Sequence, residues 1–154
     1  MSQRRELRFK TLEDVRRELT RLEKGTVVTT GNWSYFQILN HCGKAIEKSV
    51  SSFSNLKSWW VRRFIGPIAL RKVFKQGYIP AGAGAPVKGV AAERIEGDEK
   101  AALAELRKAL DDFEKYTGPL AEHPFFGKMK KEQWTYLIAL HGANHLGFVK
   151  LKDE

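Results

Sequence analysis

The sequence predicts an all-α protein, a four-helix bundle with an extra helical excursion between its second and third main helices. Three observations carry that prediction. Four segments place apolar residues at three-and-four spacing, the period of a helix with one buried face. No stretch alternates apolar and polar residues as a half-buried strand would, and no internal repeat is found. A stretch rich in Gly, Ala and Pro at 77–90 reads as a long loop, so the second and third main helices are not joined by a tight turn. With 154 residues the chain has room for one continuous core and is expected to form a single domain, 1–154.

The first main helix is expected at about 11–24, with Leu12, Val15, Leu19 and Leu22 on its seam. Thr11 suits its N-cap, and Gly25 suits a left-handed stop. Residues 26–30 form a short β-branched connector. The second helix is expected from an Asn32 N-cap to about residue 53, its stripe made by Tyr35, Ile38, Leu39, Cys42, Ile46 and Val50. Residues 55–75 read as a less regular helix carrying Trp59, Trp60 and Phe64, with a break at Gly66-Pro67. The third main helix runs from about 98 to 116 along Leu103, Leu106, Leu110 and Phe113, and Gly118-Pro119 closes it. After a loop at 119–129, the last helix covers about 130–150, with Glu132 favouring its N-terminus.

Composition narrows the class. Hydrophobic residues make 42% and charged residues 29% of the chain, ordinary for a soluble globular protein. The polar start and the lack of a long apolar run give neither a signal peptide nor a membrane span, so a cytoplasmic protein with no membrane partner is expected. Cys42 is the only cysteine, so no internal disulfide can form. Its place in the apolar stripe favours an inert buried thiol over a nucleophile. The net charge of +9 concentrates at Arg4, Arg5, Arg8 and Lys10, across 57–75, and at Lys128, Lys130 and Lys131. Such a balance favours encounter with anions, nucleic acid included, yet no nucleic-acid-binding motif accompanies it. No phosphate-binding glycine loop or Ser-His-Asp arrangement is present either.

His141 and His145 are the most telling residues. On a helix they leave the same side one turn apart, and that side also carries Trp134, Leu137, Ile138, Phe148 and Val149. A buried ring left unsatisfied costs about 1–3 kcal/mol. A backbone group or carboxylate would answer that need, and so would one divalent ion shared by both. Gly142 and Asn144 stand between them, so the glutamate base of a metalloprotease is absent. His41 is the available third ligand. It lies beside Ile38 and Ala45 but also beside Gln37 and Lys44, and helical spacing fits a ligand and a solvent-facing ring equally. Three histidines with no fourth protein ligand would leave an open position, as catalytic sites do. Most aromatic rings are expected in the core, with Trp33 and Trp134 as pocket walls and Gln37, His123 and Asn144 as further pocket candidates. For His123, before Pro124 in a loop, a surface or helix-capping role is expected first.

The run Gly31-Asn32-Trp33-Ser34-Tyr35-Phe36-Gln37-Ile38-Leu39-Asn40-His41 resembles the opening of one branch of the DinB/YfiT-like superfamily. His123-Pro124-Phe125-Phe126-Gly127, then a Glu-x-Trp helix and a His-x-x-x-His pair, is similar to that branch's C-terminal half. The resemblance follows the same order and covers most of the chain. It implies an up-down-down-up bundle and a metal, zinc or nickel, held by His41, His141 and His145. Where the branch often has a further histidine beside the last ligand, this chain has Asn144, a change of surroundings that can be worth 10–100-fold in affinity or activity. Characterised relatives include thiol-dependent S-transferases and a mycothiol-dependent isomerase, and many members are labelled metal-dependent hydrolases.

The expectation is therefore a metal-dependent hydrolase or thiol S-transferase acting on a small molecule, with a low-molecular-weight thiol as one candidate and no general base assigned. The alternative is a non-enzymatic binding protein with a structural or vestigial metal and a basic face for nucleic acid or an acidic partner. A homodimer through apolar area at Trp59-Trp60 is a further expectation, and an internal place for both rings fits the sequence equally.

Overall fold

The structure, a computed structural model, describes residues 4–80 and 96–154. The part of the expected long loop at 81–90, and the first three residues, lie outside the described residues. Four α-helices make the bundle: α1 (Leu12–Leu22), α2 (Tyr35–Ser49), α4 (Glu99–Lys115) and α5 (Lys131–Leu146). The excursion between α2 and α4 contains a π-turn (Val61–Ile65) that runs directly into α3 (Gly66–Gln76). Among the described residues no helix is long and apolar enough to cross a membrane.

Residue pairs between helices fix the directions. α2 and α4 run parallel: Phe36 meets Gly97, Gly43 meets Leu106, and Val50 lines a groove with Ala109 and Asp112. α1 runs against α4, since Arg16 reaches Asp111 and Glu114 while Arg107 reaches Glu23. α2 runs against α5, with Trp33 beside His145, His41 beside His141, and Phe53 beside Trp134. α1 accompanies α5, with Val15 against Gly142. The order is up-down-down-up. Leu19, Leu39, Leu110, Phe113 and Leu146 are fully buried where the four seams meet.

Local chemistry explains the boundaries, and several differ from expectation. Thr11 caps α1 in a reciprocal capping box with Asp14. Gly25 does not provide the stop: α1 ends through Glu23 in ordinary helical geometry, and Gly25 lacks the positive φ such a stop requires. α2 begins two residues later than an Asn32 cap would place it. Ser34 Oγ accepts from Gln37 N at 3.2 Å and Gln37 Oε1 accepts from Ser34 N at 2.8 Å, a capping box that leaves Trp33 outside the helix. The helix also stops early, at Ser49, whose hydroxyl donates back to Ile46 O at 2.6 Å.

Two short strands were not expected. β1 (Val27–Thr29) pairs antiparallel with β2 (Val149–Leu151), Val28 opposite Lys150. At three residues each, neither is long enough to show an alternating pattern, and β2 occupies what reads as the last turn of α5. α5 instead ends at Leu146, with Gly147 as its C-cap and Arg5 N donating to Gly147 O at 2.8 Å. Nearby, Glu18 is buried between Arg5 and Arg21. Burial alone would raise its carboxyl, but hydrogen bonds from Arg21 and Arg5 prevail and hold it below the ordinary value.

The excursion departs most. No break occurs at Gly66-Pro67: the π-turn runs into α3 through both residues, with Pro67 at the second position of α3. Trp59, Trp60 and Phe64 are not core residues: they are 65%, 56% and 57% exposed. Helical spacing cannot separate an apolar face that meets the bundle from one that meets solvent. α3 ends at Gly77, whose φ of 74° gives it a left-handed cap.

Candidate metal centre

Three histidines from two helices converge. His41 comes from the second turn of α2, while His141 and His145 lie one turn apart near the end of α5. One ligand nitrogen from each lies within 4.8 Å of the other two. His41 Nε2 and His141 Nε2 are 3.0 Å apart, and the three ring centroids are separated by 4.9, 4.5 and 4.5 Å. His41 is only 5% exposed, because α5 and Trp33 cover the stripe edge that helical spacing assigned to it. His141 and His145 each keep a partly open edge.

Electrostatics hold His141 and His145 neutral. Burial pushes His141 well below its ordinary value, and the neighbouring His145, His41 and His123 add to the effect. His145 is pushed down to about 3, by burial first and then by His41 and Arg4. A neutral imidazole is the form that coordinates metal.

The donor set fits a divalent ion. With bonds of about 2.0–2.1 Å, two nitrogens on one tetrahedral ion stand ~3.3 Å apart, and three imidazoles suit zinc, nickel and similar borderline ions. The 3.0 Å approach of His41 to His141 also matches an imidazole–imidazole hydrogen bond, but that accounts for two rings only. Among the described residues no hydrogen bond reaches a nitrogen of His145. The void behind His141, between Val15, Cys42, Leu106 and Leu146, measures about 10 Å³, too small for comfortable hydration. A group satisfying all three rings must therefore arrive from the open side.

Trp33 belongs to this site. Freed by the later start of α2, its ring stacks on His145 at 5.4 Å and 7°, and meets His41 edge-on at 5.0 Å. Asn144 is at the margin, where its Oδ1 accepts from Arg4. In sequence Arg4 is only one member of a basic cluster, and nothing there signals a partner 140 positions away; its guanidinium also lies 5.9 Å from the Phe148 ring. Gln37 lies one turn before His41, with its Oε1 engaged in capping α2.

His123 and Trp134 stand elsewhere. Trp134 is seven residues before His141, about 10 Å along the helix, and stacks on Phe53 at 6.1 Å. His123 faces that pair, and its Nδ1 accepts from Phe125 N at 3.1 Å and Phe126 N at 3.0 Å. Burial lowers it to about 4. It organises the 123–127 loop, with neither nitrogen in the three-histidine group. Cys42, next to His41, turns into the core, where burial pushes its thiol up to about 12.

A family described as "Protein of unknown function (DUF1569)" matches residues 1–152. No curated protein and no solved structure gives a match.

Proposed function

We propose that this chain, which belongs to the DUF1569 family, binds a divalent metal ion through His41, His141 and His145 and uses it for metal-dependent chemistry on a small molecule. The observation that carries this reading is the convergence of three imidazoles, with His141 and His145 held neutral by burial and His145 lacking a hydrogen-bond partner among the described residues. The likeness to DinB/YfiT-like proteins supports it and favours zinc or nickel, with hydrolysis or transfer to a low-molecular-weight thiol as the reaction.

The ion would supply Lewis acidity and an open position for a water or a thiol. The chain's own residues do the rest. His41 is fixed on the bundle's interior side, so a substrate would approach past the partly exposed edges of His141 and His145. Trp33 shields His145 and His41 from water on one side, which strengthens electrostatic interactions there. Arg4, held by Asn144, adds a positive charge at the margin, suited to an anionic substituent of the substrate.

The test is elemental analysis of protein purified without an affinity tag. Wild type is expected to contain close to one equivalent of a transition metal, and His141→Ala to contain almost none. Equally low metal in both, after reconstitution with zinc and with nickel, would remove the basis of this reading.

A further inference from the structure

Every large apolar side chain that is exposed among the described residues lies in one stretch of the excursion. Leu56, Trp59, Trp60, Phe64, Ile65 and Ile68 are between 43% and 69% exposed. Apolar exposure concentrated in one short segment marks an interaction surface, whereas singly scattered apolar residues do not.

The patch is supported from behind. Lys57 N donates to Pro124 O at 2.8 Å, and Arg62 turns inward to pair with Glu122 while its Nε donates to Lys57 O at 2.8 Å. Gly66 packs so closely on the 123–127 loop that a Cβ would come within 2.2 Å of Phe125 O. Gly127, with φ of 79°, approaches Arg62 O in the same way. The wider π-turn sets Trp59 edge-on to Phe64 five residues later, at 5.9 Å and 90°. The aromatic face is thus presented on a fixed scaffold.

Charge identifies the occupant. Lys57, Arg63, Arg71, Lys72 and Lys75 are exposed on the same stretch, and the sequence has no Asp or Glu from Lys48 to Ala92. We propose that residues 56–75 form a peripheral docking surface for an anionic lipid bilayer. Tryptophan and phenylalanine would enter the headgroup boundary, Ile65 and Ile68 would meet acyl chain, and the cations would meet lipid phosphate and carboxylate. A second copy is a poor occupant, since face-to-face packing would oppose like charges with no acid to offset them. A nucleic acid would use the aromatic rings and cations, but bases stack on rings and leave the exposed Leu56, Ile65 and Ile68 unmatched. That no helix among the described residues is long and apolar enough to cross a membrane bears only on crossing the bilayer, not on lying against it. This proposal is independent of the metal centre.

The test is sedimentation of the full untagged chain with vesicles of phosphatidylcholine alone or of phosphatidylcholine mixed with phosphatidylserine. Wild type is expected to sediment with the mixed vesicles only, less so as salt is raised, with a blue shift of tryptophan emission. Trp60→Ser with Phe64→Ser, and separately Arg71→Glu with Lys72→Glu, should each weaken binding roughly tenfold or more. All four side chains are exposed, so melting temperatures should match wild type. Wild type left in the supernatant of the mixed vesicles overturns the proposal, as does unchanged binding by both double variants. So does a concentration-dependent dimer, or an oligonucleotide complex, that these substitutions abolish while vesicles are never bound.

Discussion

The two places where this protein buries histidine differ in one respect. His123 and His145 are both pushed far down by burial, to about 4 and about 3, so neither is charged at neutral pH. At His123 the acceptor nitrogen is occupied by two backbone N–H groups of its own loop, which fixes the tautomer and closes the turn. At the bundle centre the rings face one another, and His145 has no hydrogen-bond partner among the described residues. Depressed basicity therefore does not mark a ligand. What the nitrogens face does.

The largest expected effect breaks the pair apart by metal content. His41→Ala or His145→Ala should lower metal affinity by more than the ~100-fold that altered surroundings of a ligand can cost. His123→Ala should keep the ion. Isothermal titration with zinc on chelator-stripped protein measures both, and a loss of affinity in His123→Ala comparable to the ligand variants would erase the distinction.

Acid sharpens the comparison. His123 is neutral in the folded protein down to about pH 4 but titrates near 6.5 when unfolded. Between those values the unfolded chain binds more protons, so stability falls as pH drops. The contribution is present in full above 6.5 and lost as pH reaches about 4. At about 1.4 kcal/mol per pKa unit it amounts to roughly 3 kcal/mol. Urea unfolding of metal-free wild type and His123→Ala across this range should show a shallower pH slope in the variant; equal slopes would mean that His123 is not a buried neutral group. At pH 7 the same substitution removes the acceptor for two N–H groups and should cost about 2 kcal/mol.

Why one of these regions was legible and the other was not follows from the kind of signal each gives. The four seams could be read because a helix repeats its buried residues every three or four positions, and His141 and His145 inherit that period. His41 could not be settled this way: its helix leaves it at a stripe edge, and its burial comes from α5 and Trp33, which spacing along α2 does not report. The start of α2 was available, since Ser34 and Gln37 have capping-box spacing, but Asn32 competes for the same role. The β1–β2 pair is too short for a period, and its register depends on chain ends 120 residues apart. The π-turn is a tertiary outcome, fixed by contacts of Arg62 and Gly66 with the 123–127 loop. Exposure of Trp59 and Trp60 could not be settled for the same reason: by sequence the segment offers apolar area to a partner and fits the interior equally.

The smallest effect probes the margin of the centre, where Arg4 lies beside Asn144 and its charge contributes to lowering His145. Arg4→Ala removes a positive charge near a ligand without touching a nitrogen that would hold the ion. Two consequences oppose each other. With that repulsion gone, His145 becomes easier to protonate, but a nearby cation also disfavours a divalent ion, so neutralising it aids binding. At neutral pH His145 is uncharged either way, and the second consequence prevails: zinc should bind a few-fold tighter, within about tenfold. Binding of a small anion at the loaded site should weaken at the same time, because Arg4 is the positive side chain held there. A titration in which Arg4→Ala weakens zinc binding as severely as His145→Ala would place Arg4 among the groups that build the centre, and would remove the boundary drawn here between ligands and their surroundings.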